Sequence, residues 1–125
     1  MGAMMQMFSQ NPAAAYRRVT LDARIAASGS ADLTRICLEE CEAALAHALI
    51  AFDRGQTPSR EPISRAQTIM LWLASSVAPG HPLGASLKAF YGGLAAQLGG
   101  QILQPDHQRL SEIRKDVSDL LEAAG

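Results

Sequence analysis

Aromatic residues are scarce in this chain, and charge of either sign is sparse and balanced. Three Phe, two Tyr and one Trp among 125 residues offer few flat rings on which single-stranded bases could stack. The 11 basic residues are offset by 12 acidic ones, for a net charge of −1, without the clustered basic excess of nucleic-acid-binding proteins. Composition therefore argues against a nucleic-acid partner.

Cysteine is almost absent. Cys37 and Cys41 are the only two, and they lie four residues apart in an apolar periodic stretch. Because disulfide frameworks usually join cysteines across loops, we interpret both as reduced thiols packed in the core of a cytosolic protein. A zinc site needs at least three protein ligands, and no third one stands at suitable spacing. No metal and no cofactor is expected.

Long apolar runs are missing as well. The longest uncharged stretch, 66–87, is interrupted by Pro79-Gly80-His81-Pro82, whereas a membrane span needs about 20 mostly apolar residues. No basic residue precedes the apolar start of the chain, as a secretory signal would require. The sequence therefore predicts a cytoplasmic protein without membrane insertion. We expect residues 1–11 to be a disordered tail, in part a cloning remnant, and 12–125 to be one domain.

No segment alternates apolar and polar residues for long enough to indicate a strand. Apolar residues recur instead at three- and four-residue steps, as on one face of a helix. Such helices are predicted over about 12–27, from Ser30 or Asp32 to Phe52, over 61–78, over 83–102, and from Pro105 to Leu121. Gly55 is expected to end the first long helix. The pattern predicts an all-α fold, an antiparallel four-helix bundle with an additional N-terminal helical segment.

The segment over 79–104 is unusual because Lys88 is its single charged residue. An exposed helix normally carries charge on its outer face, so this helix is predicted to be central or covered by something. Gly92 and Gly93 stand in its middle, where each glycine costs about 1 kcal/mol relative to alanine. Small residues at four-residue steps allow a neighbouring helix to approach closely. Packing inside the bundle is the favoured explanation, and packing against a foreign helix is the alternative.

A second feature is that the helix predicted over 61–78 has more apolar residues than a single stripe along one helix face contains. Leu71 and Trp72 lie outside the stripe that Met70 and Leu73 define. Apolar area that one core does not cover marks a partner surface in a soluble bundle. A helix docking in a groove would suit such a surface.

Catalytic residues are not apparent. His47, His81 and His107 stand in three different segments. The carboxylate pairs Glu39-Glu40 and Asp116 with Asp119 are expected at solvated helix positions rather than in an acid–base site. The sequence therefore predicts no catalytic residue and a protein that is not an enzyme.

The order of these features resembles the flagellin secretion chaperones of the FliS family. The run Ile63–Leu73 (ISRAQTIMLWL) resembles the central helix of that family, and Leu87–Tyr91 (LKAFY) its next helix. Tyr16 followed by Val19 is similar to its N-terminal tyrosine segment, and Asp32–Ile36 (DLTRI) to the start of its first long helix. The likeness extends over roughly 16–121, through the combined order of features rather than through one specific motif.

This chain departs from the family pattern in three places. Ser28-Gly29-Ser30-Ala31 replaces the usual Ser-Pro, Leu38 and Glu40 stand where an aromatic residue and a glycine are usual, and the common C-terminal tryptophan is missing. The resemblance is therefore to a divergent member.

The resemblance implies a cytosolic chaperone that binds the C-terminal helical region of flagellin, prevents its premature polymerisation and delivers it to the export gate of the flagellar type III apparatus. It also implies that the N-terminal segment folds over the binding surface until the client displaces it. On this basis the gate is assigned to Tyr16 and Ile25, and the client contacts are assigned to Ile69, Trp72, Leu73, Phe90, Tyr91 and Gly92. The alternative is a helical adaptor or regulatory protein that forms a homodimer through the same apolar surface.

Overall fold

The computed structural model of the chain describes residues 30–124, and this part consists of helices without any strand. The four helices are α1 Ser30–Asp53, α2 Arg60–Ser75, α3 Gly84–Leu103 and α4 His107–Ala124. The all-α prediction is confirmed for these residues, and the architecture is consistent with a helical bundle. The predicted tail over 1–11 and the predicted helical segment over 12–27 lie outside the described residues.

The chain divides into two compact units, Met1–Ile36 and Cys37–Gly125. Of the first unit the structure describes residues 30–36, in which Arg35 and Asp32 form an exposed ion pair of 3.3 Å one turn apart. The boundary falls within α1. All contacts described below belong to the second unit.

The end of α1 is set by a glycine, as predicted. Gly55 has a φ of 71°, in the left-handed region that a residue without a Cβ adopts at low cost. The amide of Gly55 donates to the carbonyl of Phe52 at 2.9 Å, and the amide of Gln56 to that of Ala51 at 2.8 Å. This pair of hydrogen bonds is a Schellman motif, which satisfies carbonyls that the end of the helix leaves without partners.

The end of α2 comes earlier than predicted. The apolar pattern predicts a helix through Ala78, but α2 ends at Ser75. The hydroxyls of Ser75 and Ser76 both donate to the carbonyl of Trp72, at 2.8 and 2.7 Å. Short hydroxyl side chains that bond nearby carbonyls offer the backbone an alternative to the helical ladder. The helix therefore ends at these two adjacent serines, although its apolar pattern continues beyond them.

The junction between α3 and α4 is held by side-chain hydrogen bonds at Asp106. Its carboxylate accepts a hydrogen bond from the amide of Arg109 at 2.9 Å, as an N-cap residue does. Its own amide donates to the buried side chain of Gln101 at 2.6 Å. One residue thus caps α4 and ties the turn to α3, which gives the predicted break at Pro105 a fixed geometry.

The core of the second unit is formed by all four helices. α2 packs along α3, and α3 also contacts α4. The largest side chains that are almost fully buried are Leu38, Leu45, Ile63, Met70, Leu98, Leu110, Ile113 and Val117. The burial of Leu38 beside Cys37 and Cys41 shows that α1 is covered over a wider arc than one apolar stripe.

Two carboxylates of α1 connect it to different helices. Arg65 of α2 donates through Nε and Nη2 to Oε1 of Glu40, at 3.0 and 2.6 Å, and both side chains are largely shielded from solvent. On the other flank, the hydroxyl of Ser118 in α4 donates to Glu42. The prediction that both members of the Glu39-Glu40 pair lie at solvated positions is therefore wrong for Glu40. Glu40 is held by an ion pair because α1 is covered beyond its apolar stripe.

Removal of the Arg65 guanidinium is expected to destabilise the fold. Arg65→Ala leaves the shielded carboxylate of Glu40 without its partner, which we expect to lower the free energy of unfolding by about 2 kcal/mol. Urea denaturation followed by circular dichroism measures the change. The matched control is Arg114→Ala on the exposed surface of α4, for which we expect a change below about 0.5 kcal/mol. Equal effects of the two substitutions would contradict a structural role of the ion pair.

Candidate partner-binding surface

Large apolar side chains are exposed on α2 and α3. Trp72 of α2 is 40% exposed and Leu71 beside it is 54% exposed. Phe90 of α3 is 43% exposed. We call these three residues the aromatic patch. Leu71 and Trp72 are the apolar excess that the sequence places outside the stripe of α2, and Phe90 is one of the predicted client contacts. Large apolar side chains that are exposed on a folded protein are typical of interaction surfaces.

The other predicted client contacts are placed differently. Ile69, Leu73 and Tyr91 are buried in the core. Burial raises the pKa of the Tyr91 hydroxyl above its ordinary value. Of the six predicted contacts in the described residues, only Trp72 and Phe90 therefore present a large side chain at the surface. The role of the buried three as client contacts stays a prediction, and the two predicted gate residues Tyr16 and Ile25 lie outside the described residues.

The glycines of α3 have different surroundings. At Gly99 an added Cβ would meet Nε2 of Gln67 at 2.7 Å, and that same amide nitrogen donates to the carbonyl of Ala95 at 3.2 Å. Gly99 therefore makes room for a side chain that links α2 to α3. At Gly92, Gly93 and Gly100 an added Cβ would meet nothing within 4 Å. Close packing inside the bundle, the favoured explanation of Gly92 and Gly93, therefore finds no neighbour at either residue within the described part of the chain.

The outer face of α3 is exposed and almost free of charge. Lys88 is its single ionisable residue, whereas the remaining exposed positions are small, apolar or neutral polar ones: Ala85, Ser86, Ala89, Phe90, Gly93, Ala96, Gln97, Gly100 and Leu103. The predicted alternative in which this helix is central to the fold is therefore wrong. The other predicted alternative, in which something covers α3, requires a partner for this face.

Side chains that could take part in catalysis or bind a metal ion are dispersed over the described residues or buried. His107 forms an edge-to-face contact with Phe52, with ring centroids 5.4 Å apart, and Nδ1 of His81 accepts a hydrogen bond from the amide of Leu83 at 3.0 Å. Within residues 30–124, no three His, Cys, Asp or Glu side chains are grouped so that they could hold a metal ion. His81 and His107 thus serve the local structure of a turn and a helix junction.

Both cysteines are free and buried. The thiol of Cys41 lies 3.9 Å from the carbonyl of Ala66, across the contact between α1 and α2. Burial, followed by the nearby Cys37, Glu42 and Glu40, raises the pKa of Cys41 to about 12. The pKa of Cys37 is also raised, through burial and the charge of Glu40. A thiol with a raised pKa is a poor nucleophile and metal ligand at neutral pH, which favours the interpretation of both residues as core.

A surface depression that the sequence did not indicate lies where α1 ends and α2 begins. It has a volume of about 430 Å³ and is open to solvent. His47 and Ile50 line it from α1, Arg54 from the turn, and Pro58 and Pro62 from the start of α2. The lining of the depression mixes apolar and polar residues and contains no group of side chains arranged for catalysis or metal binding. It therefore does not suggest a reaction.

Comparison with known proteins does not assign a family: no protein-family model matches the chain, and no curated protein matches it significantly. Among the described helices, none combines the length and the apolar character that crossing a membrane requires. A function must therefore be inferred from the surface itself.

Neighbouring residues on α2 should respond differently to truncation. Leu73 is buried and Trp72 is exposed, so Leu73→Ala should lower the free energy of unfolding by about 2–5 kcal/mol. Trp72→Ala removes a larger side chain but should cost less than Leu73→Ala, because Trp72 is already 40% exposed and its truncation leaves no enclosed cavity. Chemical denaturation of the two variants measures both values. A larger loss for Trp72→Ala than for Leu73→Ala would place Trp72 in the core.

The buried thiol should make stability depend on alkaline pH. The folded chain keeps Cys41 protonated up to a pKa of about 12, whereas the ordinary value is 9.0. The resulting contribution to folding is complete below the ordinary value and is lost as pH rises towards the folded one. We expect the free energy of unfolding to fall over this alkaline range, and to fall less steeply in Cys41→Ala.

Urea denaturation at a series of pH values tests this expectation. Comparison of slopes, rather than of absolute stabilities, removes the cost of the small cavity that the substitution creates. The same alkaline slope in both proteins would show that the thiol of Cys41 ionises equally in the folded and unfolded states.

Proposed function

We propose that this chain is a flagellar type III export chaperone, which binds the C-terminal helical region of flagellin in the cytosol and has no catalytic activity. The exposure of Trp72 and Phe90 on two helices that pack together is the observation that carries the proposal. In the FliS family, which the sequence resembles, the client binds an apolar surface of this kind. Binding would prevent premature polymerisation, and the chaperone would then deliver flagellin to the export gate.

The register of α2 against α3 sets the heights of Trp72 and Phe90 along the two helices. The hydrogen bond from Gln67 to Ala95 joins the two helices at 3.2 Å. Near the loop between them, an added Cβ at Gly84 would lie 3.4 Å from the side chain of Val77. Both contacts fit two antiparallel helices, as in the proposed antiparallel four-helix bundle. Five residues from the Gln67 contact towards the loop lead to Trp72 on α2 and to Phe90 on α3, so the two aromatic side chains stand at the same level.

The chemistry of the patch fits an amphipathic helix as client. Such a helix buries its apolar face when it docks into a groove between two helices. The low charge of the adjoining face of α3 places few ionised groups where they would be desolvated by the client. Terminal segments that fold only on binding lose conformational entropy, which limits their affinity but allows them to cover a large surface. The N-terminal segment with Tyr16 and Ile25 is proposed to occupy this surface until the client displaces it.

Titration with the C-terminal segment of flagellin tests the proposal. We expect saturable binding near one to one, with a negative heat-capacity change and a gain of helicity. Trp72→Asp and Phe90→Asp should each weaken binding by roughly tenfold or more, equivalent to about 1.4 kcal/mol, while the helical content of the chaperone is retained. Isothermal titration calorimetry and circular dichroism measure these changes.

The matched control is Ile50→Asp. Ile50 is a similarly exposed apolar residue, but it lies on α1 beside the surface depression, so its substitution should leave the affinity unchanged. Because Trp72 is the single tryptophan of the chain, its fluorescence reports directly on the patch and should shift to shorter wavelength on binding. Absence of binding by the folded wild-type protein would refute the proposal, and equal loss of helicity and affinity in Trp72→Asp would remove Trp72 from the site.

A further inference from the structure

The surface depression at the turn between α1 and α2 has an apolar floor and a polar rim. Pro58 and Pro62 line it and are buried, whereas Arg54, Gln56 and Thr57 line it and are exposed. Its volume of about 430 Å³ falls within the range of small-molecule sites, about 300–1,000 Å³. Its size therefore fits a small amphipathic molecule better than a second protein, whose interface involves about 20–30 residues on each side.

One wall of the depression is a single face of α1. His47, Ile50 and Arg54 line it and follow one another at steps of three and four residues, which places them along one side of a helix. The amide of Arg54 donates to the carbonyl of Ile50 at 3.2 Å, so Arg54 continues this face beyond the last residue of α1. Ile50 is 47% exposed, and an apolar ligand would remove that area from water.

The charge in the lining is of one sign. Arg54 is its one permanently charged residue, and no Asp or Glu lines the depression. Asp53 precedes Arg54, but adjacent residues of a helix do not face each other, and among residues 30–124 no carboxylate forms an ion pair with Arg54. The planar fork of a guanidinium matches the two oxygens of a carboxylate. A ligand with one carboxylate is therefore complementary to this rim.

The shape of the depression is fixed by the turn itself. The Schellman motif at Gly55 holds the chain after α1 through the hydrogen bond from the amide of Gln56 to the carbonyl of Ala51. The rings of Pro58 and Pro62 restrict the backbone that follows. A site that exists before the ligand arrives spares binding the cost of ordering the protein.

We propose that this depression binds a small aliphatic carboxylate. The carboxylate pairs with the guanidinium of Arg54, and the apolar chain covers Ile50 and rests on Pro58 and Pro62. The site is separate from the aromatic patch, since Trp72 stands about 15 Å from Pro62 along the axis of α2. It also does not depend on flagellin.

Titration of the isotope-labelled full chain with octanoate, followed by nuclear magnetic resonance, tests the site. We expect saturable shifts of the amide signals of Ala51, Arg54, Gln56 and Thr57, with a Kd on the order of 1 mM for so small a ligand. Octanamide, which has the same chain without the charge, should bind at least about threefold more weakly. Added salt should weaken the binding of octanoate and leave that of octanamide unchanged.

Two variants separate the contributions of charge and apolar surface. Arg54→Gln should weaken the binding of octanoate by at least about threefold and leave octanamide unaffected. Ile50→Ser should weaken the binding of both ligands, because both lose the apolar wall. Arg114→Gln on the exposed surface of α4 is the matched control and should change neither affinity. Circular dichroism checks that each variant keeps its helical content.

Four outcomes would overturn the inference: no saturable binding of octanoate, equal affinities for octanoate and octanamide, unchanged octanoate binding in a folded Arg54→Gln variant, or shifts centred on Trp72 and Phe90 instead of the depression. None of these results bears on the proposed chaperone function, because flagellin is not a component of the experiment.

Discussion

The packing of α2 along α3 determines which apolar side chains the protein buries and which it exposes. Gln67 joins the helices through the carbonyl of Ala95 and occupies the space that the missing side chain of Gly99 leaves. With this contact in place, Leu73 and Tyr91 enter the core while Trp72 and Phe90 remain partly in solvent. A change in the rotation of either helix would exchange these roles. The proposed partner surface is thus a consequence of how the core is packed.

Polar groups of α1 maintain the packing from the other side. Cys41 is buried between Glu40, which pairs with Arg65 of α2, and Glu42, which accepts a hydrogen bond from Ser118 of α4. Apolar contacts are non-directional, so they fill the core without fixing the rotation of a helix. The Glu40–Arg65 ion pair and the Ser118–Glu42 hydrogen bond lie on the two flanks of the buried Cys41 thiol. Because each joins two defined residues, they fix the rotation of α1. Burial, followed by the nearby Cys37, Glu42 and Glu40, raises the pKa of the Cys41 thiol, so the stability of this core depends on alkaline pH.

Much of the fold could be predicted from local signals in the sequence. Gly55 and Pro105 mark helix boundaries that the structure retains, because a positive φ and a missing amide are properties of single residues. The early end of α2 could not be read from its apolar pattern, since it coincides with the bonding of Ser75 and Ser76 to one carbonyl. The ion pair between Glu40 and Arg65 could not be predicted either, because it joins residues that are distant in sequence.

The exposed residues of the candidate site could be predicted only where the apolar pattern of a single helix decides their exposure. Leu71 and Trp72 could be recognised as excess because they lie off the stripe of their own helix. Ile69 and Tyr91 could not be separated from Phe90 in this way, since their exposure depends on the angle between two helices. The glycines of α3 gave a signal of close approach, but a sequence does not say which helix approaches. The structure divides them between Gly99, which receives Gln67, and Gly93 and Gly100, which have no close neighbour among residues 30–124.

The absence of charge on the outer face of α3 has the same physical meaning for either partner. A charged side chain there would have to be desolvated whenever a helix packs on it, at a cost that short contacts between small residues could not repay. A neutral face lowers that cost for a client helix and for a second copy alike. The two partners would require different shapes, because glycine and alanine on this face leave room for a closely packed helix, whereas Trp72 and Phe90 are large side chains that need a groove or another large side chain to cover them. On the proposed function, Trp72 and Phe90 are the residues that distinguish a client, because a large side chain in water gains most from being covered.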